Sequence, residues 1–171
     1  AGKPVLGICN GFQTLVKAGL LPTSDFASGP DRRVTLTYNE VGHFECRPVY
    51  LQPQANSVSL FTEGLSDLIL CPVAHGEGRV MARDEAMMSE LMSEGLVPLT
   101  YVNANGETVA YPGNPNGSPL NIAALCNAAG NVMGLMPHPE DHIFPWQHPR
   151  YHRGERGQLG LVIFKNAVKY A

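Results

Sequence analysis

An α/β fold is what this sequence predicts, and three observations predict it. The run Val5-Leu6-Gly7-Ile8 is apolar on both faces, as strands in the middle of a parallel sheet are. It passes at once into a helical repeat, Phe12, Leu15 and Val16. Further on, a series of short strand-like stretches ends in a helix over 157–170.

Each element has its own signal. Gly7 allows a neighbouring backbone to come close to the first strand, and Gly19 stands where a helix ends on a glycine. Residues 34–38 and 44–51 alternate as strands, and Leu68–Val73 is an apolar strand that enters a glycine-rich loop, His75-Gly76-Glu77-Gly78. A helix is expected over 84–95 and a strand over 98–102. Asn103-Ala104-Asn105-Gly106 then turns a hairpin into Thr108–Tyr111. Ser118-Pro119 pairs an N-cap with a first-turn proline for a short helix. Strands over 123–127 and 131–136 come next, and the last helix places Leu161, Phe164 and Val168 on one face. Residues 145–157, rich in Pro, His, Arg and Gly, form a surface loop. The 171 residues, 44% hydrophobic and 16% charged, suit one domain over 1–171.

Composition excludes several classes of function. The net charge of −3 suggests no nucleic-acid partner, no apolar run approaches membrane-spanning length, and the first residues lack the layout of a signal peptide. Cysteines 9, 46, 71 and 126 contain no Cys-x-x-Cys pair, which argues against a zinc or redox motif and for a reducing, cytoplasmic setting. The Asn116-Gly117-Ser118 triplet is discounted as a glycosylation site. Cysteines 46, 71 and 126 stand in strand-like apolar contexts and are expected in the core.

Chemistry concentrates at two places. Gly7-Ile8-Cys9-Asn10-Gly11 has the form of a nucleophile elbow with cysteine in the place of serine. Flanking glycines are needed because the strand-to-helix turn is crowded. The turn places Cys9 at a helix N-terminus, where N–H groups and the dipole favour the thiolate. The N–H of Asn10 can meet the oxyanion formed when a carbonyl is attacked. Met136-Pro137-His138-Pro139-Glu140 comes directly after a strand. A thiol needs a base and the base needs an orienting group, and His138 with Glu140 two residues later can supply both. His142, His148 and His152 accompany Arg150, Arg153 and Arg156, which would repel a metal ion. They are read as a solvated or partner-contacting loop, and His43 as pointing out of a strand start.

Cys-Asn-Gly-Phe-Gln (9–13), Pro-Val-Ala-His-Gly-Glu-Gly (72–78), Asn-Pro-Asn-Gly-Ser (114–118) and Gly-Leu-Met-Pro-His-Pro-Glu (134–140) occur in this order. As a set they resemble the class I (triad) glutamine amidotransferase family, and within it the glutaminase subunits of bacterial phosphoribosylformylglycinamidine synthases. The resemblance implies a flavodoxin-like sheet and a reaction in which Cys9 attacks the side-chain amide of glutamine. His138 then shuttles protons and Glu140 orients it. It implies that Gln13 and Phe44 contact the bound glutamine. It also implies partners: an ATP- and Mg-using synthetase subunit that receives the ammonia, and a small bridging subunit. No cofactor or metal is expected in this chain itself.

Members of that family carry further sheet elements and a second oxyanion loop upstream of the first strand. The sequence therefore reads as an N-terminally truncated sheet, expected to hydrolyse glutamine poorly alone. The alternatives are another triad cysteine hydrolase of the γ-glutamyl peptidase type and an inactive binding fragment of the same fold.

Overall fold

In a computed structural model of the chain, which describes residues 2–22 and 33–171, the first strand forms where the apolar run places it. Strand β1 (Val5–Ile8) lies parallel to β8 (Val132–Leu135), which is antiparallel to β7 (Ala124–Cys126). The sheet that carries the first strand is thus three strands wide among the described residues, with one parallel pair. Among the described residues β1 stands at its edge, and Val5 is 44% exposed there. Helix α1 (Asn10–Lys17) folds back over one face of β1 and β8.

The β1–β8 register sets Gly7 opposite Gly134. A Cβ at 134 would overlap the fully buried Phe12 ring, and one at 7 would stand 2.8 Å from the Gly11 backbone. Both glycines are therefore the means by which α1 approaches the sheet. Gly11 is different: a Cβ there meets nothing within 4 Å. The expected crowding on both sides of Cys9 holds for Gly7 alone.

A second sheet is antiparallel, in the order β4 (Ile69–His75), β3 (Glu45–Pro53), β6 (Leu99–Val102). A two-stranded ribbon pairs β2 (Val34–Tyr38) with β5 (Glu77–Ala82). The expected glycine-rich loop at 75–78 is mostly strand. β4 runs to His75, Gly76 alone intervenes, and β5 begins at Glu77. The strand changes sheets there, and Gly78, at φ 127°, passes against the Met136 side chain. The buried side chains form one cluster that draws on all three sheets.

Helix α2 (Glu85–Ser93) is capped as its sequence suggests, with the Asp84 carboxylate accepting from the N–H of Met87 at 2.8 Å. At 103–106 the Asn103 side chain accepts from the N–H groups of Asn105 and Glu107. The predicted hairpin then extends only to a bridge between Val102 and Thr108. Ser118 precedes a single 3₁₀ turn, Pro119–Asn121, but does not cap it. Its hydroxyl donates to Asn116 Oδ1 and accepts from the N–H of Val80. Asn116 is fully buried, which removes the glycosylation triplet from the surface.

Two face assignments need correction. Along β3 the inward residues are Glu45, Val49 and Leu51, so Cys46 falls one residue out of phase and is exposed, while Cys71 and Cys126 are buried as expected. Helix α3 (Leu161–Lys169) buries Ile163, with Val162 and Ala167 beside it, and leaves Val168 74% exposed. Its apolar residues surround the axis, so spacing alone does not choose a face. The choice is made at Gly160, whose N–H donates to His142 O at 2.8 Å and whose missing side chain admits the backbone of Pro139.

Gly134→Ala is expected to lower stability by about 1–3 kcal/mol through overpacking against Phe12. Phe12→Leu on that background should recover part of the loss. Chemical denaturation of the two variants against wild type measures both effects.

Candidate active site

Cys9 occupies the step between β1 and α1. Its N–H donates to Leu135 O at 2.8 Å, completing the parallel ladder, and its carbonyl accepts the first helical hydrogen bond, from Gln13 at 3.2 Å. Between those two demands its backbone takes φ 51° and ψ −108°. A non-glycine residue held there stores on the order of 1–3 kcal/mol of strain. The thiol is half-buried, with Sγ 3.9 Å from Ala74 O.

Competing effects act on the thiol. Burial raises its pKa most, the N–H of Asn10 pulls it down, and the Glu140 carboxylate raises it further. The net direction is up. The helix N-terminus does favour the thiolate, as expected, but desolvation outweighs it, so the resting group is a thiol that needs a base.

The candidate base, His138, is held at the edge of β4 that is not paired with β3. Pro72 O accepts from the N–H of His138 at 2.8 Å, and Ala74 O faces the sulfur of Cys9. Carbonyls two residues apart on a strand point the same way, about 6.6–6.8 Å from each other. β4 thus holds His138 and Cys9 side by side, each at the C-terminal end of one member of the β1–β8 parallel pair. After His138, a 3₁₀ turn at Pro139–Asp141 reverses the chain, and Glu140 Oε1 returns to His138 Nδ1 at 2.7 Å. A carboxylate only accepts, so Nδ1 carries the hydrogen and Nε2 is the lone-pair nitrogen. Nε2 is buried and has no hydrogen-bond partner among the described residues. No hydrogen bond joins it to Cys9 there either.

The remaining predicted residues gather at one turn. Asn10 opens α1 and is exposed. Gln13, one helical turn beyond Cys9, donates from Nε2 to Glu77 Oε2 at 2.8 Å. Phe44 is 63% exposed and lies against Gly76. The Gly76–Glu77 turn thus meets both Gln13 and Phe44, from the side of the site where Ala74 faces the thiol.

Sequence reasoning missed the polar layer behind this turn. His75 is 3% exposed and shares a hydrogen bond of 3.0 Å with Asn39, which is also buried. Burial, and next the charge of His138, push the His75 pKa down to about 4. Glu45, in register with His75, is buried too and is met by His43, Arg47 and Tyr111. The available signal was strand phase, since His75 continues the inward face of Cys71 and Val73. His43 does point outward, but its Nε2 reaches back to Glu45 at 2.8 Å.

Of the three histidines in and near 145–157, His152 is exposed as expected, and the other two differ from expectation. His142 and His148 are buried, not solvated, with ring centroids 5.8 Å apart and His142 Nδ1 2.6 Å from Leu70 O. Two 3₁₀ turns, Pro145–Gln147 and Tyr151–Arg153, fold this segment back on itself. Among the described residues one group has metal-ligand atoms within 4.8 Å of one another: His138, Glu140 and Asp141. Its imidazole Nδ1 is already committed to Glu140, which leaves a poor donor set. Wide concavities of about 670 and 600 Å³ are lined by segments around Gln54–Ser66 and Thr100–Ala110, away from Cys9.

A strained cysteine at a strand-to-helix turn, near an oriented histidine–carboxylate pair, is the arrangement expected of a triad-type thiol hydrolase. The profile of the CobB/CobQ-like glutamine amidotransferase domain matches residues 1–171, and the chain belongs to that family. It is 42% identical over 186 residues to phosphoribosylformylglycinamidine synthase subunit PurQ of Treponema denticola, spanning 99% of this chain and 67% of the relative. It is 40% identical to the subunit of the same name from Archaeoglobus fulgidus, spanning 99% and 63%. The structure of PurLQS from Thermotoga maritima contains a chain similar at a TM-score of 0.69 and 32% identity, over 99% of this chain and 62% of that one. The fold is thus α/β of the class I glutamine amidotransferase type. The chain spans about two thirds of the length of these relatives.

Because the Cys9 pKa is raised, a smaller share of it is thiolate at pH 7 than of a free thiol. Iodoacetamide should label Cys9 more slowly than N-acetylcysteine at pH 7, and the Cys9 rate should keep rising after the small thiol has levelled off. Peptide mass spectrometry across a pH series reads both. In catalysis, His138→Ala should cost about a hundred-fold or more, and more than Glu140→Gln, because it removes the base itself while the second loosens only its orientation. Initial rates of glutamate release rank the two.

Proposed function

We propose that this chain is the glutaminase part of a phosphoribosylformylglycinamidine synthase. The observation that carries the reading is the alignment of Cys9 and His138 along the free edge of β4, with Glu140 on the far nitrogen of the imidazole.

That arrangement sets the chemistry. His138 Nε2 takes the thiol proton as Cys9 Sγ attacks the side-chain amide carbon of glutamine. The oxyanion is met by the N–H of Asn10. When the tetrahedral intermediate collapses, the C–N bond breaks, and His138 returns its proton to the nitrogen, which leaves as ammonia. A water, deprotonated by the same nitrogen, cleaves the thioester to glutamate and restores the thiol. Glu140 keeps the imidazole in the tautomer both halves require and stabilises its cation. Gln13 helps hold the amino-acid end of the substrate, and Phe44 lines the same pocket.

The ammonia passes to a separate synthetase subunit, which uses ATP and Mg to convert formylglycinamide ribonucleotide to the amidine in purine synthesis. A small third subunit bridges the two. This chain uses no cofactor of its own, and its setting is the cytoplasm. No helix among the described residues is long and apolar enough to cross a membrane.

In the assembled synthase, Cys9→Ala or Cys9→Ser should abolish glutamine-dependent synthesis and leave synthesis from added ammonia intact. Product formation with each nitrogen source separates the outcomes. Equal loss of both would make Cys9 an assembly residue and reject the reading.

A further inference from the structure

Asn39 is 3% exposed, directly follows β2, and has all of its hydrogen-bonding groups engaged. Its N–H donates to Gly76 O at 3.0 Å, and its carbonyl accepts from the N–H of Gly42 at 3.0 Å. The second bond closes a four-residue turn, which ends on Gly42 at φ 74°. The side-chain Nδ2 donates to His43 O at 2.9 Å and to His75 O at 2.8 Å. With both amide hydrogens committed, Oδ1 accepts from His75 Nδ1 at 3.0 Å.

These bonds join two segments that are far apart in sequence. Those to Gly42 and His43 hold the turn that leads into Phe44, and those to His75 and Gly76 hold the crossing from β4 to β5. The crossing borders the site. Ala74 O stands 3.9 Å from the sulfur of Cys9, and the Glu77 carboxylate accepts from Gln13 Nε2 at 2.8 Å. Phe44 lies over Gly76, between those two contacts. Asparagine suits this place because a short side chain must supply two donors and one acceptor at once. An aspartate of the same shape supplies no donor, and a serine supplies one.

Phe44, at 63% exposure, gains little from burial, so the backbone on either side of it must fix its position. Asn39 makes no hydrogen bond to Cys9, His138 or Glu140 among the described residues. From this geometry we infer that Asn39 is a positioning residue for glutamine binding, which holds Phe44 at the pocket wall in fixed relation to the strand beside the thiol. It sets how well the amino acid is bound and leaves the reacting groups alone. The inference rests on the glutaminase reading and on the part of Phe44 in it.

The experiment uses the intact glutaminase subunit and two reagents for Cys9. Iodoacetamide needs only the thiol, whereas a diazoketone analogue of glutamine must first occupy the pocket. Asn39→Asp should slow labelling by the analogue by about ten-fold and labelling by iodoacetamide by no more than about two-fold. In turnover, KM for glutamine should rise by about ten-fold while kcat stays within about three-fold of wild type. A double-mutant cycle then shows whether Asn39 acts through Phe44. On a Phe44→Ala background, which itself slows the analogue, Asn39→Asp should cost no more than about a further two-fold. Should Asn39→Asp fail to fold, Asn39→Ser takes its place, with a smaller loss in the same direction. Equal slowing of both reagents, an unchanged KM, or a full additive loss on the Phe44→Ala background overturns the inference and leaves the glutaminase reading in place. A wild-type subunit that takes iodoacetamide at Cys9 but never the analogue would overturn the reading itself.

Discussion

The parallel contact between β1 and β8 is the constraint on which the site depends. Parallel strands in register bring their C-terminal ends to one level, so the residues after Ile8 and those after Leu135 must emerge together. Cys9 leaves the first strand at that level, and His138 stands three residues past the end of the second. The contact is possible only because Gly7 faces Gly134 and the space above them is filled by Phe12 and Leu15 of α1. A side chain at either glycine would lift the helix, and the helix carries the amide that meets the nucleophile. Packing at the base of the elbow and chemistry at its top are therefore one geometric condition.

β4 contributes a second constraint of a different kind. Its edge toward the site has carbonyls that no neighbouring strand pairs, and two of them face the candidate reacting groups, Pro72 accepting from the N–H of His138 and Ala74 beside the thiol. The edge is therefore occupied, although it has no strand partner on that side. The cost of a half-buried cysteine appears in its pKa, which burial moves up against the pull of the Asn10 N–H. A thiol that is not ionised at rest needs a base, the part proposed for His138. Reactivity then depends on the Glu140 turn, which α3 holds in place through Gly160.

Behind the reacting groups, polarity is arranged by rigid backbone contacts more than by charge pairs. Asn39 spends both amide hydrogens on carbonyls and so dictates the tautomer of His75. Glu45 is buried under His43, Arg47 and Tyr111, which neutralise it from the solvent side. Both networks are anchored in the strand register of β3 on β4, where Glu45 faces His75.

Local chemistry was legible in the sequence because it depends on neighbours in the chain. The elbow around Cys9, the return of Glu140 to His138 and the Asp84 cap each involve residues no more than four apart, and dihedral limits decide them. The strands and helices were legible for the same reason, through apolar spacing. Facing and partnership were not. Cys46 lies outside because β3 takes its phase from β4 and β6, and α3 buries Ile163 because the Pro139 turn, not its own pattern, selects the face. His75 reads as part of a glycine loop until the strand beside it is known. His142 and His148, surrounded by arginines in sequence, are buried because Leu70 and the folded 145–157 segment enclose them. The sequence by itself determined the family and placed the candidate nucleophile and base, since these rest on covalent proximity and short motifs. The tertiary structure alone decided which polar groups share the site, because that depends on the long-range register of strands whose partners lie far along the chain, as Glu45 does from His75 and Val5 from Val132.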